Sequence, residues 1–202
     1  MLKTIKNALK SPEIRKKILF TLLLLVIFRL GCYITIPGVD MITLESTMDS
    51  YSNSVTGMIN MISGGAFSRF SIFAMSITPY ITASIVIQLL GMIIPALERL
   101  TKEGRKKIDR YTKLITLALS LIEGLGIYLS YRSSGIFMDD SFLTGAVVVI
   151  SLMAGTSLLM WLGDKITSKG IGNGISMLIF AGIVSSFPAA AVAIAELIVV
   201  DG

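Results

Sequence analysis

The stretch that decides the fold is residues 70–97, FSIFAMSITPYITASIVIQLLGMIIPAL, which has 28 residues and no charged side chain. About 20 apolar residues in a helix are enough to cross the hydrocarbon core of a bilayer, because a helix rises about 1.5 Å per residue. Two further uncharged stretches, residues 141–163 and 170–195, are also long enough. The sequence therefore predicts a protein that crosses the membrane as helices.

Two more apolar stretches contain one charged residue each. Residues 18–36 contain Arg29, and residues 114–131 contain Glu123. In the whole chain of 202 residues, 53% are hydrophobic and 15% are charged, whereas soluble domains have about 25% charged residues. We predict an all-α fold, a polytopic membrane helix bundle with five transmembrane helices. The predicted spans are about residues 18–36, 71–95, 111–131, 141–163 and 172–195.

The basic residues lie mostly on one side of these spans. Of the 18 lysines and arginines, 15 lie in residues 1–17, in residues 98–113 and at Lys165 and Lys169. Positive charges in short loops remain in the cytoplasm. Residues 1–17 are therefore predicted to be a basic cytoplasmic segment, and residues 18–202 a five-span unit whose C-terminus is external. Because the chain stops soon after its fifth span, a second half is expected to be absent.

Composition also excludes several classes of function. The chain has no histidine and one cysteine, Cys32, so disulfide frameworks, the usual zinc sites and histidine-dependent catalysis lack their residues. We expect no enzyme activity, no catalytic residue, no metal and no cofactor. The glycine-rich residues 170–174 lack the strand and acidic residue of a dinucleotide site and are predicted to be a tight cytoplasmic turn. The net charge of +5 is attributed to membrane orientation, and no nucleic-acid binding is expected.

The segment before the second span has an unusual composition. It contains a Gly-Gly pair and Arg69, so it cannot lie against lipid as a spanning helix. We predict a short helix inside the protein, with a loop that caps the bundle as the alternative. Pro79 is expected to kink the second span, because its ring removes a backbone hydrogen bond and clashes with the carbonyl of Met75.

Four motifs carry a resemblance to a known family. They are residues 10–40 (KSPEIRKKILFTLLLLVIFRLGCYITIPGVD), 61–90 (MISGGAFSRFSIFAMSITPYITASIVIQLL), 103–112 (EGRKKIDRYT) and 155–187 (GTSLLMWLGDKITSKGIGNGISMLIFAGIVSSF). These motifs cover about half of the chain and resemble, in order, the SecY family, the large subunits of the Sec protein-conducting channel. The resemblance implies ten spans in two inverted halves, of which this chain is similar to the N-terminal five.

The resemblance also implies three groups of functional residues. The first is a pore ring that excludes water, formed by Ile77, Ile81, Ile175 and Ile179. The second is a plug at about residues 55–70, the short helix of the fold prediction, centred on Ser63, Gly64, Gly65, Ala66, Phe67, Ser68 and Arg69. The third is a lateral gate toward lipid, with Thr82, Gln88 and Glu123 as candidates. On helical spacing alone the four isoleucines would be interpreted as core or lipid-facing residues, and it is the resemblance that favours the ring.

Glu123 leaves three interpretations open, because a carboxylate inside a membrane needs a cavity or a partner. It can belong to the gate, pair with Arg29 at similar depth, or be protonated and purely structural. Arg29 can also extend its side chain toward the outer interface. The sequence does not show which residue interacts with Glu123 or with Arg29.

The implied function is to pass unfolded polypeptides across the membrane and to release hydrophobic segments to lipid. The implied partners are SecE-like and SecG-like small membrane subunits, the motor ATPase SecA, the ribosome, signal sequences and membrane lipid, and the implied location is the bacterial cytoplasmic membrane, as a multi-pass protein. Two alternatives remain, half of a secondary transporter and an inert structural fragment. The isolated chain is also expected to expose its ring and gate residues and to pair as an antiparallel homodimer in detergent.

Overall fold

The computed structural model describes residues 11–50, 60, 63–93, 105–139 and 141–200, without the side chains of residues 48–50, 105–107 and 188–200. Within these ranges it contains six helices and no strand, so the predicted all-α class is confirmed. The helices are α1 Pro12–Gly31, α2 Met41–Ser50, α3 Thr78–Ile93, α4 Arg105–Arg132, α5 Phe142–Lys169 and α6 Gly174–Val200.

Five of the six helices overlap the five predicted spans, and α2 is additional. Two stretches, Ile108–Arg132 and Phe142–Lys169, are long and apolar enough to cross a membrane. Thr78–Ile93 and Gly174–Phe187 are shorter apolar helices. The bundle is arranged around α5, which packs against α1, α3, α4 and α6.

Polar side chains fix where several helices begin. Asn173 Oδ1 accepts hydrogen bonds from the backbone amides of Ile175 and Ser176 at 3.0 and 3.3 Å, which satisfies free donors at the start of α6. Asp40 does the same for α2, accepting from the Ile42 amide at 3.1 Å and from the Thr43 hydroxyl at 2.7 Å. Hydrogen bonds from the Thr43 side chain and then from the Ile42 amide lower the pKa of the half-buried Asp40 carboxyl.

Residues 170–174 form the predicted tight turn between α5 and α6. Gly172 has φ +75°, a value that favours glycine. The amide of Ile171 donates to Thr21 Oγ1 on α1 at 3.1 Å, and the amide of Gly174 donates to Thr167 Oγ1 at 2.8 Å. These bonds give the glycine-rich turn a structural role that needs no nucleotide.

The second predicted span differs from its helix. Residues 72–77 are turns, and α3 begins only at Thr78. Pro79 therefore lies in the first turn of α3, where a backbone N–H would have no acceptor within the helix, so the proline removes no hydrogen bond. The predicted kink at Pro79 is wrong, because the chain enters the helix at this proline instead of passing through it.

Candidate functional site

An apolar cluster lies where α1, α3, α5 and α6 meet the segment that precedes α3. We call this the central cluster. Its buried members are Leu24, Phe28, Cys32, Ala66, Phe73, Ile77, Leu159, Leu162, Ile166 and Leu178. Phe28 and Phe73 stack at its centre, with ring centroids 5.9 Å apart. Cys32, a free thiol, is one of its small buried members.

Three of the four predicted ring residues meet at this cluster. Ile77 is inside it and is 2% exposed, while Ile175 and Ile179 pack against it from α6. Ile81 lies one turn farther along α3, is 37% exposed and is outside the cluster. The expectation that the isolated chain exposes all four is therefore wrong for Ile77, because this residue belongs to the turns that enter the bundle before α3 begins.

Ile81 and Ile175 both line a groove of about 780 Å³ between α3, α4, α5 and α6. The groove lies at the N-terminal ends of α4 and α6, the end that carries most of the predicted cytoplasmic charges. Polar residues share its walls with the isoleucines, among them Asp109, Asp164 and Asn173. Asp164 also forms an ion pair with Lys113 across α4 and α5. The groove thus offers both polar and aliphatic side chains to a chain that enters it.

Of the predicted plug, the structure describes Asn60 and residues 63–70. We call residues 63–70 the 63–70 segment. Residues 55–59 and 61–62 lie outside the described residues. Asn60 is helical, whereas residues 63–70 are a succession of turns, in which Gly64, Gly65 and Phe70 have φ values of +67°, +81° and +45°. Four of its side chains are buried, those of Ser63, Ala66, Phe67 and Phe70.

Backbone hydrogen bonds hold the 63–70 segment inside the bundle. The Ile36 amide donates to the Phe70 carbonyl at 3.1 Å, and the Ile72 amide donates to the Ile34 carbonyl at 3.0 Å. Asn60 Oδ1 accepts from the Ser68 amide at 2.9 Å. Ala66 is buried in the central cluster, as is Ile77. The segment thus shares a buried cluster with one of the ring candidates.

Arg29 interacts with this segment and not with Glu123. Its Nη1 donates to the Gly64 carbonyl at 2.5 Å. Among the described residues, the ion pair that the structure contains joins Lys113 to Asp164, so the Arg29–Glu123 pair considered above is wrong. The partner is a backbone carbonyl 35 positions away, which side-chain patterns do not reveal.

Among the described residues, the three gate candidates form no hydrogen bond or ion pair with one another. Thr82 is exposed and donates to the Thr78 carbonyl of its own helix at 3.1 Å, and Gln88 donates to Ser84 at 3.1 Å. Gln88 lines the groove, whereas Thr82 does not. Glu123 is partly buried on α4 and has no hydrogen bond or ion pair to another described residue.

Sequence reasoning missed Tyr33 in this region. The guanidinium carbon of Arg69 lies 4.4 Å from the centre of the Tyr33 ring, and that of Arg29 lies 5.7 Å from it. Cations within about 6 Å of an aromatic face are attracted to it. The signal was an aromatic residue four positions after an arginine in an apolar stretch, but the distant Arg69 could not be paired with it by spacing.

Comparison with known proteins gives one consistent family. The family model described as SecY matches residues 71–201. The chain is 45% identical over 211 aligned residues to the protein translocase subunit SecY of Streptomyces scabiei, covering 97% of this chain and 48% of the relative. It is 44% identical to the Thermus thermophilus subunit, covering 91% and 44%. The chain thus spans about half the length of the curated relatives it matches.

Solved structures agree on the fold. Sec61 in the canine ribosome-channel complex from the endoplasmic reticulum aligns with a TM-score of 0.62 and 21% identity, over 88% of this chain and 38% of that chain. A structure of SecY described by its plug domain, which stabilises the closed translocation channel, aligns with a TM-score of 0.61 and 21% identity, over 88% and 37%. The family-model match and the SecY relatives together place this chain in the SecY family of membrane channel proteins.

Proposed function

We propose that the chain is the N-terminal half of a protein-conducting channel and that, joined to a second half, it passes unfolded polypeptides across the membrane. The observation that carries this proposal is that Ala66 of the predicted plug and Ile77 of the predicted ring are buried in the same cluster, with Ile175 and Ile179 packed against it. A ring of aliphatic side chains excludes water and ions until a chain displaces it. The groove beside Ile81 and Ile175 provides the approach from the cytoplasmic side.

The 63–70 segment is the plug in this proposal. Its core residues Ser63, Gly64, Gly65, Ala66, Phe67, Ser68 and Arg69 are held by hydrogen bonds and not by a continuous helix. A segment of this kind can leave its position without unwinding a spanning helix. A place on the external side of the ring is supported by Ile36 and Phe137 at the predicted external loops, which share a buried cluster with Phe67 and Phe70.

The proposed lateral gate uses the polar side chains on α3 and α4, Thr82, Gln88 and Glu123. The partly buried Glu123 supports it, because a carboxylate at this depth without a described partner is costly unless it faces a cavity or another chain. Through such an opening, signal sequences and hydrophobic segments would leave toward lipid.

The proposed partners follow from the family. They are small SecE-like and SecG-like subunits, the motor ATPase SecA and the ribosome, and the structural relative from a ribosome-channel complex supports the last of these. The bacterial relatives support a location in the bacterial cytoplasmic membrane. An antiparallel homodimer remains a proposal for the isolated chain in detergent, with Ile81 as its most exposed ring residue.

Photo-crosslinking tests the channel function. A photoreactive residue at position 81 or 175 of the complete protein should crosslink to a secretory preprotein that is stalled during translocation. The control position is Ile150, which is 64% exposed on the outer face of α5. Equal crosslinking at all three positions, or transport of a small solute by the reconstituted protein without preprotein, would favour a transporter and contradict the proposal.

The gate assignment predicts the effect of Glu123→Gln. This change keeps hydrogen bonding and removes the charge, so translocation of preproteins with weakened signal sequences should change several-fold while the yield of folded protein stays the same. Glu45→Gln, at an exposed glutamate on α2, is the matched control. If Glu123→Gln mainly lowers folded yield, the glutamate is structural and the gate assignment is wrong.

A further inference from the structure

Arg29 has the contacts of a residue that positions another segment. It is a charged side chain in an apolar stretch of α1, and its described hydrogen bond goes to the Gly64 carbonyl at 2.5 Å. A charged donor makes a stronger hydrogen bond than a neutral one, above all where water is scarce. The bond connects α1 to the 63–70 segment.

Gly64 is fitted closely into the place where this bond forms. A side-chain carbon added to it would lie 2.8 Å from Arg29 Nη1, 2.8 Å from Ser185 Oγ and 3.1 Å from the Gly182 Cα on α6. Its φ of +67° is one that glycine adopts readily. The carbonyl that Arg29 binds therefore sits between α1 and α6, with no space for a different residue.

Tyr33 strengthens the connection from the same end of α1. Its ring attracts the guanidinium groups of both Arg29 and Arg69, at 5.7 and 4.4 Å. Arg69 also donates to the Gly65 carbonyl at 3.4 Å, within the 63–70 segment itself. Two contacts thus join this part of the chain to the segment, the Arg29–Gly64 hydrogen bond from α1 and the Tyr33–Arg69 contact just after α1.

We propose that Arg29 is the positioning residue that holds the 63–70 segment in its closed position, and that the segment leaves only when the Arg29–Gly64 hydrogen bond breaks. This proposal rests on the proposed function, in which that segment is the plug. An incoming polypeptide that displaces the segment would separate Arg29 from Gly64. The inserted chain would supply the arginine with its own backbone carbonyls as replacement acceptors, so the bond is exchanged for another one and not simply lost.

The test measures the position of the segment independently of transport. In the complete protein carrying Cys32→Ala, spin labels are placed at Ser68, in the segment, and at Phe142, the exposed start of α5. Arg29→Met, which removes the donors and keeps an apolar side chain, should shift and broaden the distance distribution between the labels. Arg15→Met, at an exposed arginine on the same helix, should leave it as in the parent protein.

Ion conductance of the resting channel, measured on the same variants, separates this proposal from the proposed function. Displaced labels with several-fold higher conductance support both. Displaced labels with unchanged conductance support the positioning role of Arg29 and contradict the sealing role of the plug. An unchanged label distribution in Arg29→Met overturns the positioning role whatever the conductance is.

A second variant keeps the proposal testable if Arg29→Met does not fold. Arg29→Lys keeps the positive charge, but the lysine side chain is shorter than that of arginine, and its ammonium group lacks the planar set of donors of the guanidinium. It should displace the label at Ser68 in the same direction. A parent-like distribution in a folded Arg29→Lys protein would overturn the assignment of this role to the guanidinium group of Arg29.

Discussion

Replacing Gly155 with alanine is expected to abolish most of the folded protein, although the change adds a single methyl group. Gly155 lies on α5, where that helix meets the turns before α3. The added carbon would overlap the Ile72 carbonyl group and would also lie 3.4 Å from Phe73 Cδ1. A clash with backbone cannot be relieved by a side-chain rotation.

The backbone at Ile72 is also unable to move away at low cost. Its amide donates to the Ile34 carbonyl at 3.0 Å, and the adjacent Phe73 ring stacks on Phe28 while covering Gly31. Overpacking of a core costs about 1–3 kcal/mol and occasionally more. We expect a loss at the upper end of that range, since hydrogen bonds and ring stacking would both be disturbed.

The control is Gly126→Ala, because Gly126 is also a helical glycine but has open space where the added methyl would lie. This variant should be as stable as the parent or slightly more stable, since alanine favours helices by about 1 kcal/mol over glycine. The measurement is the amount of monodisperse protein that survives a heating series in mild detergent. Equal survival of the two variants would show that the close approach of α5 to Ile72 is not maintained.

The helices were predictable to a large extent and the start of α3 was not. Uncharged runs such as residues 141–163 predict α5 because burial of apolar residues and hydrogen bonding of the backbone both favour a helix in a bilayer. Residues 71–77 are as apolar as the helix that follows. They form turns because Gly155 lets the Ile72 backbone approach α5 and because Ser76 adopts φ +52°. Such tertiary constraints have no signature in hydropathy.

The candidate site was predictable in its residue types but not in its contacts. The spacing of Ile77 and Ile81 on one side and of Ile175 and Ile179 on the other gave candidates, but only the packing shows that Ile77 is buried and Ile81 is not. The helix α2 could have been anticipated from Asp40 and Thr43, a typical helix start. The acceptor for Arg29 is a main-chain carbonyl, and every residue has one, so no pattern could identify Gly64.

Replacing both Ile81 and Ile179 with serine in the complete protein is expected to make the resting channel leak ions. Ile81 lines the groove, and Ile179 packs against the central cluster on the facing helix α6. Full burial of an isoleucine side chain is worth about 1.5–3 kcal/mol, and the partial burial of Ile81 and Ile179 adds a share of this value to the cost of wetting their surroundings. The double change should therefore raise resting conductance by at least about tenfold, because a hydrated constriction conducts.

The control for this prediction is Ile150→Ser, at a residue that is 64% exposed on α5 and is not part of the central cluster. Conductance is measured across planar bilayers, and preprotein translocation is measured in the same preparation to show that the variants are folded. A double variant that translocates normally at parent conductance would contradict the ring assignment.

Since the 63–70 segment also closes the pore in the proposed function, the leak should increase further when Arg29→Met is added. If the ring seals the pore without the segment, the conductance should be the same with arginine or methionine at position 29. The combined variant therefore shows whether the ring and the 63–70 segment both contribute to the seal.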